Sequence, residues 1–198
     1  MKYKIDWDEP RPEQRGFDEG WLKTDVLVVD PPAPALAEVE RSLRKSHING
    51  GARVAQFHVT AAASVAWVMS RNRFGEFNFF SRLFSHPVVL ATMPEAANAA
   101  VLEDKFKMEE TFTSFGRLAG CLARGGAYER FSGSDEDAWA LTTHFAQAAV
   151  GFRIRDCSAW VSWRPWSPWF CDVAWDASFF WFDPAEGMVT LLLLTDTD

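Results

Sequence analysis

The sequence predicts an α+β domain in which helices pack on a largely antiparallel sheet that ends in a C-terminal β-meander. Three observations carry that expectation. Amphipathic and capped helical patterns are concentrated before Gly151. After Gly151 the texture changes to aromatic and β-branched runs, with "DPAEG" (183–187) as a turn between two of them. Helices and strands are therefore partly segregated along the chain, which is the α+β arrangement and not the alternation of a parallel α/β fold.

Residues 1–23 read as an irregular N-terminal arm, because they are charged and carry Pro10, Pro12, Gly16 and Gly20. Trp7, Phe17 and Trp21 are placed to pin that arm to a single domain spanning 24–198. "TDVLVVD" (24–30) is short, β-branched and bounded by "PPAP", and reads as a strand. Over "PALAEVERSLRKS" (34–46), Leu36, Val39 and Leu43 form a helical stripe. Pro34 suits its first turn, and Arg44 and Lys45 sit at the favourable end of the dipole. "NGG" (49–51) stops the helix, and "ARVAQFHVT" (52–60) reads as a second strand.

Residues 61–72 fit either a strand or a helix, their alanines favouring helix, and the aromatic stretch 74–84 is ambiguous. "SHPVVLATMP" (85–94) reads as a short strand or loop. From Pro94 the alanines and "LEDKFKMEE" predict a helix broken near Lys107, then a further helix to about Arg124 that "RGG" ends. "SDEDAWALTTHFAQAAVG" (134–151) has a capping-box pattern in Ser134 and Asp137, acids in its first turn and a terminating Gly151. "FRIRDCSAWVSW" (152–163) reads as a strand. In "CDVAWDASFFWFD" (171–183), strict alternation puts Cys171, Val173, Trp175, Ala177, Phe179 and Trp181 on one strand face, with Asp172, Ala174, Asp176 and Ser178 opposite. "MVTLLLL" (188–194) is apolar on both sides, so both of its faces should be covered.

The net charge of −7 disfavours nucleic acid and anionic membrane as partners and favours a basic protein. The longest apolar run, "LLLL", falls far short of the ~20 residues of a membrane helix. The N-terminus has no apolar core of a secretory signal, and three cysteines without CxxC spacing suit reduced thiols. A cytoplasmic location is the expectation.

"WVSWRPWSPWF" (160–170) carries a tryptophan at every third position, a period that suits neither a strand nor a helix interrupted by Pro165 and Pro168. It fits a strand that ends near Trp163 and continues as polyproline-II-like chain, with Trp163, Trp166 and Trp169 lining one edge. Two readings stay open. The indoles can close over the core as a lid, or the outer ones can form an exposed anchor cluster of the kind enriched at interfaces. The second reading nominates Arg164, Trp166, Trp169, Asp172 and Asp176 as partner-binding residues, the acids steering a basic partner. A sugar-type ligand platform would use the same aromatics. The terminal "TDTD" either ends a strand or, through Asp196 and Asp198, extends an acidic surface.

No Walker A, GxGxxG, HExxH or GxSxG pattern occurs, and the four histidines show no metal-ligand spacing. No cofactor, metal or catalytic residue is expected. On a strand, Asp172 and Asp176 would stand ~13 Å apart, beyond the roughly 5–9.5 Å of a hydrolytic carboxylate pair. An enzyme's site would have to assemble in the fold, from His58, His144, Asp172 and Asp176, or from Cys121 or Cys157 beside a distant histidine.

The ending "AWDASFFWFDPAEGMVTLLLLTDTD", through Trp175, Asp176, Phe182, Asp183 and residues 195–198, resembles the tail of small bacterial immunity proteins encoded beside polymorphic or type VI secretion toxins. The resemblance implies a cytoplasmic, non-enzymatic protein that binds a cognate toxin domain and occludes its active site.

Overall fold

The computed structural model describes residues 7–99, 102 and 104–198. Among the described residues six strands form one antiparallel sheet: β1 (Asp25–Val28), β2 (Gly51–Thr60), β3 (Lys107–Glu109), β4 (Ser158–Ser162), β5 (Ala177–Asp183) and β6 (Met188–Thr195). Their spatial order is β1-β2-β6-β5-β4-β3, so β4, β5 and β6 make the expected C-terminal meander. Among the described residues seven α-helices flank the sheet: α1 (Gln14–Trp21), α2 (Pro34–Ser46), α3 (Ala63–Ser70), α4 (Phe79–Phe84), α5 (Pro87–Thr92), α6 (Thr111–Arg124) and α7 (Asp135–Val150). The fold is α+β.

The sheet divides two cores. Alternation along β5 sends Ala177, Phe179 and Trp181 into the core under α2, α6 and α7, and Phe180 and Phe182 into the core under α1, α3, α4 and α5. Leu192 and Leu194 of β6 face the first core and Leu191 and Leu193 the second, which is why "MVTLLLL" is apolar on both sides. The first core rests on long amphipathic helices. The second is filled by aromatics: Phe74 lies 4.9 Å from Phe79 and 4.9 Å from Phe180, both edge-on. Short helices present few side chains each, so large rings supply the buried area.

Local signals place α2 and α7. Leu36, Val39 and Leu43 are buried, and the Ser134 hydroxyl accepts the Asp137 N–H while the Asp137 carboxylate accepts the Ser134 N–H. Several expectations are corrected. Within the expected irregular arm, residues 14–21 form α1, whose Phe17 is buried in the aromatic core; Trp7 is exposed. "SHPVVLATMP" contains α5, started by Pro87 and capped by His86 Nδ1, which accepts the Val88 N–H. The helix expected from Pro94 is only a 3-10 turn at Pro94–Ala96, and Lys107–Glu109 pairs with β4 instead of coiling. There pairing with a neighbouring strand outweighs local helix propensity; residues 100, 101 and 103 of that expected helix lie outside the described residues. Ile154–Asp156 is a 3-10 turn, so β4 begins only at Ser158, and β5 begins at Ala177 and not at Cys171.

Candidate partner-docking loop face

Strand register brings one set of loops together. Gly51 lies opposite Thr195, Ala177 opposite Leu194, and Ser162 opposite Ser178. The loop before β2, the loop after β4 and the chain after β6 therefore meet at one end of the sheet. The segment 163–176 crosses that end from one core to the other, and its tryptophans do not share an edge. Trp163 lies on the α6 side, edge-on to Phe179 at 5.7 Å, with the Arg117 guanidinium 5.7 Å from its ring centre. Trp166 lies in the aromatic core on the opposite side, 2% exposed, 4.7 Å from Phe84. Its indole N–H donates to Ser178 Oγ at 2.8 Å, which removes the cost of burying that group.

Two of the five nominated partner-binding residues are thus corrected. Trp166 is core, because only there do its ring area and its N–H both find partners. Asp176 is 2% exposed and cannot form an acidic rim. Its carboxylate accepts the backbone N–H groups of Cys171 (3.4 Å) and Val173 (3.2 Å) and the Thr195 hydroxyl (2.5 Å). That knot closes the segment, with Asp172 in the left-handed region at φ 58°. The alternation over 171–176 is therefore a turn that imitates a strand. Asp172 and Arg164 are exposed, and Trp169 is half-buried.

A second buried carboxylate completes the assembly. Asp196 is fully buried and is no part of an acidic surface; it accepts the Asn49 N–H at 2.9 Å and the Ala127 N–H at 2.7 Å. It thereby ties the chain after β6 to the loop before β2 and to the loop between α6 and α7. The closeness of these loops requires two glycines. A Cβ on Gly126 would stand 2.2 Å from both Asp196 Oδ2 and the Ser46 carbonyl oxygen, and one on Gly50 would stand 2.4 Å from the Thr195 carbonyl oxygen.

On this clasped scaffold the exposed groups include Ile48, Tyr128, Trp163, Arg164 and Asp172, with Trp169 and Trp175 half-buried. Sequence reading missed Ile48, Tyr128 and Trp175. For Ile48 and Tyr128 the available signal was an apolar or aromatic side chain beside glycines in a loop, "HINGG" and "RGGAYE"; Trp175 had none, because the alternation around it imitates a strand.

Of the groups weighed for catalysis, Cys121 lines a small hollow together with His47, whereas His144, His58 and Asp176 are placed elsewhere in the fold. His144 is exposed on α7, His58 bonds with Thr60 on β2, and Asp176 is committed to its turn. Burial pushes the Cys121 thiol up to about 11 and the Cys157 thiol up to about 12, so neither supplies a thiolate at neutral pH. Among the described residues no three His, Cys, Asp or Glu side chains form a metal-binding group, and no helix is long and apolar enough to cross a membrane.

Fold and site together define the class: an α+β protein with a two-cored antiparallel sheet and a hydrogen-bond-clasped, aromatic-bearing loop face at one end. No family model matches the chain, and no curated protein is similar to it.

Proposed function

We propose that this is a cytoplasmic binding protein of the immunity type, whose loop face docks a cognate toxin domain and covers its active site. The observation that carries the reading is the presentation of Trp169, Trp175, Tyr128, Ile48 and Arg164 by loops tied together through two buried carboxylates. Aromatic and Arg side chains on a preorganised surface are the residue types that dominate interface energies, because little ordering entropy is lost on binding. Trp175, Asp176 and residues 195–198, which carry much of the immunity-protein resemblance, frame this same face.

The reading is tested by co-expressing the chain with a toxin domain encoded by an adjacent gene and measuring affinity by calorimetry. Trp169→Ala with Trp175→Ala should weaken binding at least ~100-fold, the sum of two anchors at about 1.5 kcal/mol or more each. Asp172→Ala, at the margin of the face, should cost less than ~10-fold and act on the association rate. Unchanged affinity in the double variant removes the assigned surface, and lack of protection against any neighbouring toxin removes the function.

A further inference from the structure

The two edges of the sheet differ in chemistry. β1 carries one charged residue, Asp25, so two copies of it have no opposite charges to pair. β3, "KME", has Lys107 and Glu109 on either side of Met108. Among the described residues it pairs with β4 alone, and no strand lies on its other side. A three-residue charged strand normally protects an edge from foreign strands. This one is self-complementary. Antiparallel pairing about a two-fold axis through Met108 sets Lys107 of each copy opposite Glu109 of the other, on the same sheet face, where opposite charges stabilise the pair.

The surroundings of β3 repeat that pattern on a larger scale. A hollow of about 380 Å³ at the Lys107 end is lined by Lys105, Lys107 and Arg164 against Asp104 and Glu109, with Trp163 in its wall. A hollow of about 570 Å³ at the Glu109 end is lined by Glu109 and Glu110 against Arg155, with Phe112 in its wall. Met108 borders both. One hollow has an excess of positive groups and the other an excess of negative ones, so the two-fold axis sets each against its opposite. The large apolar side chains here are Met108 (63% exposed), Phe112 (56%) and Trp163 (42%), a run of apolar surface along a single edge.

We propose that β3 is a self-association edge: a second copy of this chain docks on it antiparallel, with Met108 on the two-fold axis, Lys107 against Glu109 and the basic hollow against the acidic one. The two sheets then join into a single twelve-stranded sheet, from the six strands of each chain. This inference does not depend on the toxin-docking reading. Trp163 and Arg164 border both surfaces, so neither test substitutes them.

The test is sedimentation equilibrium on the full chain over micromolar to millimolar concentration at low and physiological salt. The wild type should pass from one chain to two as concentration rises, and salt should weaken the association. Lys107→Glu and Glu109→Lys should each remain single chains, since each sets like charges across the axis. Mixed in equal amounts they should recover the two-chain species, because every facing pair is again opposite. Glu109 also binds Arg117 at 2.5 Å, so Met108→Asp serves as a second variant that leaves that ion pair intact and places two carboxylates on the axis; it too should stay single, with circular dichroism confirming the fold. The proposal is overturned by a wild type that stays single throughout, including one that instead takes up an acidic peptide at this edge. It is also overturned by association that survives Lys107→Glu and Met108→Asp, or by folded charge variants that fail to associate when mixed.

Discussion

The inner and outer sides of residues 163–176 use the same residue types for opposite purposes. On the inner side Trp166 is sealed among Phe84, Phe106 and Phe170, and Asp176 is sealed against two backbone N–H groups and a hydroxyl. On the outer side Trp169 is only half-buried and Asp172 is exposed three residues after it. An indole or a carboxylate becomes structural here when its polar atoms find donors or acceptors within the chain, and stays at the surface when they do not. The inner pair fixes the backbone that carries the outer pair, so the placement of the outer side chains follows from the burial beneath it.

Paired substitutions separate these roles. Trp166→Ala empties an aromatic site and loses the bond to Ser178, and should destabilise the fold by about 3–5 kcal/mol in chemical denaturation. A loss below ~1 kcal/mol would mean that the ring is not core. Next in size, Asp176→Ala strands three donors and should cost about 2–3 kcal/mol, while Asp172→Ala, with its exposed side chain, should cost less than ~1 kcal/mol. Equal effects of the two carboxylates would erase the distinction between the sides. Gly126→Ala pushes a methyl group against Asp196 and the Ser46 carbonyl and should lower the melting temperature by several degrees, about 1–3 kcal/mol of overpacking. Trp169→Ala should cost only about 1 kcal/mol of stability, and its main effect should fall on partner affinity.

The smallest expected effect is a pH dependence. Burial holds the His47 imidazole below its ordinary value of 6.5, as it does that of His86. The folded protein therefore binds fewer protons than the unfolded chain below pH ~6.5, and stability falls as pH drops through that window. Above it both states are neutral at these groups and the contribution is flat. Thermal melts from pH 7.5 to 5.5 should show the decline, and His47→Gln should reduce its slope; an unchanged slope would assign the effect elsewhere.

How much was legible in the sequence varies by region. The helices at Pro34–Ser46 and Asp135–Val150 were readable because cap, stripe and stop lie within a few residues of one another. The both-faced burial of β6 followed from its unbroken apolar run. Lys107–Glu109 was not readable as a strand, since its only support is the register with Ala159, Trp160 and Val161, some fifty residues away. Of the nominated site, Arg164 and Asp172 are exposed and Trp169 is half-buried, whereas Trp166 and Asp176 were misplaced because their partners, Ser178 and Thr195, were invisible at sequence level.

By itself the sequence determined the α+β class, the capped helices and the C-terminal meander, because periodicity, caps and turns are local and act through neighbouring residues. Only the tertiary structure decided which tryptophans are core, which carboxylates are clasps and which edge is open. Those outcomes depend on hydrogen-bond partners and packing surfaces supplied by distant parts of the chain, and no local pattern encodes them.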